Sequence, residues 1–258
     1  MNILVFDIET VPDFDAGKKL YNLQDLDVQD TVKAMLAIQR SKNGSEFLPH
    51  FLHKIIVISV VVVVNNKITV WSLGDYQSDE AELIKRFFAG IDKYRPVLIS
   101  WNGSGFDLPV LHYRALLHKI ISFVYWDHGN NDKEFKWNNY LSRYHYRHLD
   151  VMDILAAYQN RAFAPLDDLA VLLGFPGKIG MHGDQVLANY LAEKLPEIRN
   201  YCEVDVLNTY CIYQRFELIR GNINHYEYDA IIQQLKDYLI SENEKLHFQE
   251  FLHTIVEG

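Results

Sequence analysis

The sequence predicts an α/β domain whose central sheet contains both antiparallel and parallel strands. Two observations support this prediction. The early part of the chain holds apolar runs of strand length, two of which are separated only by Asn65-Asn66, a dipeptide typical of tight hairpin turns. The later part holds segments whose apolar side chains recur every three or four residues, as in amphipathic helices. A strand meander followed by crossover helices builds a mixed sheet.

Each element follows from its own pattern. The predicted strands are short runs of apolar and β-branched residues, at 2–8, 54–64, 67–72 and 96–100. The predicted helices show helical spacing of apolar side chains, at 79–91, 107–118, 151–158, 166–173, 185–192 and 196–219, and residues 20–40 are polar and partly helical. The tail beyond Arg220 keeps an apolar helical stripe and predicts one or two more helices. No glycine fingerprint follows the first strand, so this order favours a ribonuclease H-like architecture over a Rossmann fold.

Composition and charge limit the class of protein. With 258 residues, 49% of them hydrophobic, the chain can bury one substantial core. A net charge of -9 argues against a protein that grips nucleic acid over its whole surface, and leaves room for a local basic groove. Cys202 and Cys211 are too few for a disulfide framework or a thiolate zinc site. The apolar run at 55–64 is only about half a membrane span, and no signal-type segment is visible. We therefore expect a cytoplasmic protein without a membrane partner.

Two carboxylates, Asp7 and Glu9, follow the opening apolar run at a spacing of two residues. Because side chains alternate along a strand, both would point to the same face of a segment that favours burial. Adjacent buried negative charges need protons, cationic side chains or a metal ion, and the nearby sequence offers no Lys or Arg. A divalent cation is the simplest solution. In the alternative, the strand ends at Phe6 and both acids are solvated in the turn before Val11-Pro12.

Two later acidic positions have ordinary local explanations. Asp107 stands where a strand and a glycine-containing turn run into a helix, and with Pro109 behind it the residue is suited to cap that helix. Tyr201 and Asp205 are four residues apart on a predicted helix and share one face. The alternative for this pair is a surface aspartate beside a half-buried tyrosine. Neither signal decides a function by itself.

In chain order, the three signals resemble the motifs of the DEDD exonucleases: Asp7-Ile8-Glu9, then Asn102 through Phe106-Asp107, then Tyr201 through Asp205. The chain is similar to the 3′-to-5′ exonuclease domain of family B DNA polymerases, in the stand-alone form called predicted PolB-like exonucleases. Asn200 stands where the histidine branch needs its histidine, so Tyr201 places the chain in the DEDDy branch. The resemblance covers roughly residues 1–218. It implies a ribonuclease H-like, mixed five-stranded sheet flanked by helices in a domain at 1–220, with 221–258 as a helical extension packed on or near it.

The resemblance also implies a chemistry. The family hydrolyses phosphodiester bonds at the 3′ ends of single-stranded or frayed DNA, releasing nucleoside 5′-monophosphates with two Mg²⁺ or Mn²⁺ ions per site. By resemblance, Asp7 would bridge the two ions and Asp107 would hold the second one largely through water. Glu9 and Asp205 would complete the ion that binds the attacking water, and Tyr201 would orient that water. These five residues are the expected catalytic set, and its all-oxygen metal ligands favour Mg²⁺ or Mn²⁺ over zinc.

Further residues are expected near the substrate. Resemblance suggests Thr10, Trp101, Asn102 and Phe106, although an asparagine in a glycine-rich turn often serves backbone geometry alone. A flexible, cationic, glycine-rich loop adds Lys178 and His182, where the alternative is simple solvation.

Two features between the second and third motifs have open interpretations. Residues 126–148 interleave aromatic and basic side chains, as a single-strand groove needs, and core packing explains the aromatics about as well. Asp150 and Asp153 stand at the start of a predicted helix. Capping accounts for them better than metal binding does.

Two alternatives to a DNA exonuclease stay open. RNA 3′-end exoribonucleases use the same tetrad, and nothing in the sequence reads the 2′-hydroxyl, although the first two motifs match polymerase proofreading domains more closely. The other alternative is a non-catalytic module that binds nucleic acid or a polymerase subunit through a former site. Retention of four carboxylates and Tyr201 counts against it, because clustered negative charge beside phosphates does not help binding. The oligomeric state is not predicted.

Overall fold

The computed structural model describes residues 2–255, and a five-stranded sheet lies at its centre. In chain order the strands are β1 (Ile3–Pro12), β2 (His53–Val64), β3 (Lys67–Ser72), β4 (Val97–Ser100) and β5 (His148–Asp150). They lie side by side in the order β3-β2-β1-β4-β5. β2 runs antiparallel to β1 and β3, whereas β4 runs parallel to β1 and β5. The predicted mixed five-stranded α/β sheet is confirmed.

The structure tests two further predictions, the hairpin at Asn65-Asn66 and the end of the first strand. Asn65 and Asn66 both have positive φ, 51° and 59°, which is the conformation that a two-residue hairpin turn with the right twist requires. β1 continues to Pro12, with a register shift against β2 between Glu9 and Thr10. The alternative in which the strand ends at Phe6 is therefore wrong.

Ten helices surround the sheet within the described residues. Those before β4 are α1 (Phe14–Tyr21), α2 (Val28–Asn43) and α3 (Glu80–Tyr94). α4 (Asp107–His118) connects β4 to a long irregular segment that leads to β5, and α5 (Val151–Leu155) starts directly after β5. The remaining helices are α6 (Leu166–Leu172), α7 (Val186–Leu191), α8 (Leu195–Ile219), α9 (His225–Ser241) and α10 (Leu246–Thr254). Not one helix in 2–255 combines the length and the apolar character needed to span a membrane.

The two faces of β1 bury different cores. Leu4, Phe6 and Ile8 pack with the buried residues of α3 and α4 on one side of the sheet. Val5 points to the other side, where it joins the apolar residues of α8 and of the tail helices. By alternation Asp7 shares this second face, so its carboxylate points towards α8 rather than towards α3.

The tail forms two helices, as its spacing predicted. Leu235 and Leu239 of α9 and Phe248 and Phe251 of α10 are fully buried in the core that also contains α8 and β3. The Tyr238 hydroxyl accepts a hydrogen bond from the Val70 amide at 2.9 Å. The tail therefore closes the outer side of the sheet beyond α8.

Candidate active site

Asp7 and Glu9 lie on one face of β1, both half-buried, as the alternation predicted. One carboxylate oxygen of each and the Cys202 sulfur lie within 4.8 Å of one another. The thiol approaches Asp7 from α8, with Sγ 3.4 Å from Asp7 Oδ2. The first motif thus faces the helix that carries the third motif.

Asp107 does not cap α4. Phe106 occupies the N-cap position without a side-chain capping bond, and Asp107 is the first residue of the helix. Its side chain is 4% exposed and accepts a hydrogen bond from the Ile8 amide at 3.1 Å. The capping interpretation is therefore wrong: because β4 lies parallel and next to β1, the turn after β4 brings this carboxylate to the strand between Asp7 and Glu9.

Asp150 fixes the turn between β4 and α4, which positions Asp107. The Asp150 carboxylate accepts hydrogen bonds from the amides of Asn102, at 3.0 Å, and Ser104, at 2.8 Å. Asn102 has φ 63°, in the left-handed region that asparagine tolerates better than most residues. Gly103 leaves no space for a side chain, since a Cβ there would lie 2.3 Å from Ser100 Oγ.

Tyr201 and Asp205 sit one turn apart in the buried half of α8. Tyr201 is 5% exposed and Asp205 8%, so the alternative of a surface aspartate beside a half-buried tyrosine is wrong. The Tyr201 hydroxyl lies close enough to the Asp205 carboxylate to lower the pKa of that carboxyl group. On the other side of the tyrosine, a Cβ at Gly183 would lie 3.8 Å from the hydroxyl, so the loop before α7 covers it.

The pKa of each of the four carboxylates is raised. Burial is the largest cause for Asp7, whose pKa lies well above its usual value, and repulsion from Asp107, Glu9 and Asp205 adds to it. The pKa of Glu9 is raised in the same way, partly offset by the positive charge of Lys178. Burial raises the pKa of Asp107 to about 7 and that of Asp205 to about 6. The four side chains therefore form one electrostatic site although they come from three elements.

The two other polar groups at the site are neutral. Burial and the neighbouring carboxylates raise the pKa of Tyr201 well above that of an ordinary phenol. The same causes raise the pKa of the Cys202 thiol. Both groups therefore keep their protons at neutral pH, and the thiol can donate a hydrogen bond to Asp7.

The donor set fits a hard divalent cation. It consists of carboxylate oxygens, and within residues 2–255 no Lys or Arg forms an ion pair with any of the four acids. Lys178 acts on Glu9 and Asp205 from a greater distance and cannot neutralise four charges. Mg²⁺ and Mn²⁺ prefer such oxygen ligands, whereas the neutral thiol is a poor ligand for either.

The structure brings some of the expected substrate residues to the site and uses others elsewhere. Thr10 Oγ1 is hydrogen-bonded to His53 Nδ1 at 2.9 Å, and Phe106 meets the same imidazole edge-on at a centroid distance of 5.0 Å. Trp101 packs against the α8 side of the core. Lys178 lies close enough to act on Glu9 and Asp205, whereas His182 is exposed in the loop before α7, without a described contact to the carboxylates.

Comparison with known proteins gives the family. Residues 45–255 match the family described as predicted 3′-5′ exonuclease related to the exonuclease domain of PolB. The chain belongs to this family. The catalytic polypeptide of DNA polymerase epsilon from Saccharomyces cerevisiae is 25% identical over 146 residues, which are 54% of this chain and 6% of the polymerase. The solved structure of the family B DNA polymerase from Pyrobaculum calidifontis covers 81% of this chain and 23% of that chain, at 16% identity and a TM-score of 0.48.

This match confirms the expected family and the expected enzyme class, a 3′-5′ exonuclease. The matched range differs from the expected one at both ends. The match runs to residue 255 and includes both tail helices, which we expected to lie outside the resemblance. It begins at residue 45, so β1 with Asp7 and Glu9 precedes the matched range. The chain spans only a small part of the polymerases it resembles.

Two residues that support the candidate site were not expected from the sequence. Cys202 stands next to Tyr201, but its contact with Asp7 joins residues 195 positions apart. Asp150 was interpreted as a helix cap, and it does accept a hydrogen bond from the Asp153 amide of α5. Its second role, holding the turn before Asp107, depends on β5 lying beside β4. Neither contact has a local sequence signal.

Proposed function

We propose that this protein hydrolyses phosphodiester bonds at the 3′ ends of single-stranded or frayed DNA and releases nucleoside 5′-monophosphates. The observation that carries the proposal is the convergence of four carboxylates from β1, α4 and α8, with Tyr201 among them, in a chain of the predicted PolB-like exonuclease family. Buried like charges are costly and persist where they serve a ligand or a reaction.

The proposed cofactor is a pair of Mg²⁺ or Mn²⁺ ions held by Asp7, Glu9, Asp107 and Asp205. When bound, such ions neutralise charge on the phosphodiester and activate water. The Ile8 amide orients the Asp107 carboxylate, and the Cys202 thiol orients Asp7. These two hydrogen bonds preset the direction of the ligand oxygens.

Tyr201 and Lys178 would act on the substrate and on water. The Tyr201 phenol keeps its proton at neutral pH, so it can hold a water molecule in position and cannot serve as a general base. Lys178 places positive charge beside Glu9 and Asp205, where the phosphate of the terminal nucleotide would lie.

DNA is the favoured polymer because the yeast relative reported above is a DNA polymerase by name. The test compares 5′-labelled single strands of DNA and RNA of one sequence, with Mg²⁺, with Mn²⁺ and with chelator. The variants are Asp7→Asn and, as a matched control, Asp25→Asn, an exposed aspartate outside the site. Wild type and Asp25→Asn should shorten the DNA from its 3′ end with either metal, and Asp7→Asn should not.

Faster shortening of the RNA strand would transfer the proposal to an exoribonuclease. Strand binding in chelator with no cleavage in either metal would contradict the proposal and support a non-catalytic binding module instead. Equal activity of wild type and Asp7→Asn would show that the four carboxylates are not the active site.

A further inference from the structure

Next to the proposed active site the surface carries an aromatic platform, formed by Arg143, Tyr144 and Tyr158. The rings of Tyr144 and Tyr158 meet at a centroid distance of 5.1 Å and an interplanar angle of 68°. The Arg143 guanidinium lies over the Tyr158 ring at 5.0 Å. Tyr144 is 68% exposed and Tyr158 36%, so solvent reaches the platform although its members already touch one another.

Arg143 and Tyr144 of the platform belong to residues 126–148, the segment in which aromatic and basic residues are interleaved. Two rings of that segment, Phe135 and Tyr140, are completely buried, as the core-packing interpretation predicted. Tyr144 and Trp137 are not, and Lys136 lies 5.1 Å from the Trp137 ring centroid. The segment therefore divides into a buried part that packs and an exposed part that core packing does not explain.

The backbone is strained where it presents Tyr158. Ala157 and Tyr158 have φ of 49° and 61°, in the left-handed region that bulky residues rarely adopt. The Tyr158 amide is held by a hydrogen bond to the Asp153 carbonyl at 2.8 Å. Strain of this kind persists where the surrounding structure fixes it and is concentrated at functional sites.

Arg143 is fixed from behind by Asp153. The guanidinium donates to both carboxylate oxygens, with Nη2 2.7 Å from Oδ1 and Nε 3.2 Å from Oδ2. The Asp153 side chain is 5% exposed and that of Arg143 is 46% exposed. The pair therefore holds the guanidinium plane rigidly while one part of it stays open to solvent, which favours stacking over simple charge attraction.

One residue of the platform, Arg143, lines a cavity that also reaches the turn before Asp107. The cavity has a volume of about 440 Å³, and its lining includes Asn102, Ser104 and Gly105 of that turn. Asp150 connects the turn to the start of α5, because its carboxylate accepts hydrogen bonds from the amides of Asn102 and Asp153. The cavity therefore offers a strand whose 3′ end lies at Asp107 a path towards Arg143.

We propose that the platform binds unpaired nucleobases of the substrate strand, on the 5′ side of the nucleotide that is removed. This inference rests on the proposed function and specifies how that site holds its polymer. Stacking on aromatic and guanidinium planes is the mode by which proteins bind single strands without sequence preference. Phosphates would meet Lys136 and Arg161, both exposed and, in the described residues, without a carboxylate partner.

The experiment measures binding and cleavage separately. Anisotropy of a labelled oligo-dT strand in chelator gives the dissociation constant without turnover, and steady-state kinetics in Mn²⁺ compare that strand with a dinucleotide. The variants are Tyr144→Leu and Tyr158→Leu, which remove a ring and keep apolar bulk. Tyr226→Leu is the matched control, since Tyr226 is 83% exposed in the first turn of α9 and has no described contact with a platform residue.

Each platform variant should bind the long strand about tenfold more weakly and raise its KM by a similar factor. The kcat for the long strand and all constants for the dinucleotide should stay at the wild-type values, as should everything measured on Tyr226→Leu. Tyr144→Leu keeps the inference testable if Tyr158→Leu misfolds, because Tyr144 has no left-handed backbone.

Unchanged binding of the long strand by Tyr144→Leu would overturn the inference, as would an equal loss for Tyr226→Leu. The proposed function fails in a different way: wild type would bind the strand, the platform variants would bind it less, and no metal would bring about cleavage.

Discussion

Asp7 and Glu9 oppose the folding of the cation-free protein. Their pKa values are raised by burial and by repulsion from neighbouring carboxylates, so the folded state binds more protons than the unfolded chain. Between the unfolded values near 4 and the raised folded values, stability therefore falls as pH rises. Selection for stability alone would remove such residues. A cation that binds them in the folded state makes their contribution to the free energy of unfolding favourable.

Replacement of Asp7 by asparagine should stabilise the cation-free protein. Asp7→Asn removes one of four mutually repelling charges and keeps the shape of the side chain, so we expect Tm in chelator at pH 8 to rise by about 2–4 °C. At pH 5 the gain should be smaller, because wild-type carboxyls with raised pKa values are then largely protonated. Thermal unfolding at the two pH values measures both quantities.

The control for this prediction is the response to Mn²⁺. Above its dissociation constant, the ion should raise the Tm of wild type by a similar step for each tenfold increase in concentration, and should raise that of Asp7→Asn much less. A lower Tm for Asp7→Asn in chelator at both pH values would show that Asp7 is a structural residue.

The hydroxyl of Tyr201 is expected to matter for rate and not for stability. Tyr201→Phe keeps the buried ring and loses the group that holds water, so kcat should fall about 10- to 100-fold with little change in KM. Tyr210→Phe, another buried tyrosine of α8, is the matched control and should keep wild-type rates.

The pH profile separates positioning from general-base catalysis by Tyr201. The pKa of Tyr201 lies above its usual value, so it should not titrate in the working range, and wild type and Tyr201→Phe should have profiles of the same shape. An alkaline limb present in wild type and missing in Tyr201→Phe would contradict the neutral-phenol assignment.

At the scale of elements, α8 is positioned by a polar anchor between its two site residues. Glu203 faces away from Tyr201 and Asp205, and its Oε1 accepts from the Ser72 amide and hydroxyl at 2.9 Å each. Its Oε2 lies 2.9 Å from His247 Nε2 and 3.3 Å from Lys245 Nζ. The anchor thus joins α8 to the end of β3 and to the start of α10.

Loss of the Glu203 charge should destabilise the protein, in a pH-dependent way. Burial opposes ionisation, but the His247 hydrogen bond and the charge of Lys245 hold the pKa of Glu203 below its usual value. The unfolded chain then binds more protons, so this stability is present above about pH 4.5 and is lost as pH falls through the folded pKa. Glu203→Gln should cost about 2–3 kcal/mol at pH 7.

Urea unfolding at pH 7 and below pH 4 measures this contribution. The difference between wild type and Glu203→Gln should be largest at pH 7 and should shrink at the lower pH. A difference that is the same at both pH values would mean that shape, and not charge, fixes the anchor. Glu197→Gln, at an exposed position in the first turn of α8, is the matched control.

Helices and strands with a clear periodic pattern of apolar side chains could be predicted from the sequence. Those that form only because they pair with a neighbouring strand could not. β2, β3 and α4 were predicted to within a residue or two because apolar pattern and turn residues agree there. β5 was missed as a located strand, since only three residues, His148–Asp150, pair with β4. The continuation of β1 from Ile8 to Pro12 was missed because two carboxylates interrupt its apolar run.

At the scale of the whole molecule, the site depends on topology. The parallel pairing of β1 with β4 brings Asp107 to Ile8, 99 positions away, and the packing of α8 on β1 brings Cys202 to Asp7. The acidic and tyrosine positions could be proposed from sequence because each carries a motif. The supporting roles of Asp150 and Cys202 could not be predicted, because both residues act through contacts that exist only in the folded protein.

The chemical identity of the first product distinguishes 3′-to-5′ exonuclease activity from other nuclease activities. A single strand with a labelled 3′-terminal nucleotide is incubated with wild type and with Asp205→Asn in Mn²⁺, and the first labelled product is identified by mass. We expect a labelled nucleoside 5′-monophosphate from wild type and no product from Asp205→Asn. A longer labelled 3′-terminal fragment, a labelled nucleoside without phosphate, or equal release by Asp205→Asn would contradict this mechanism.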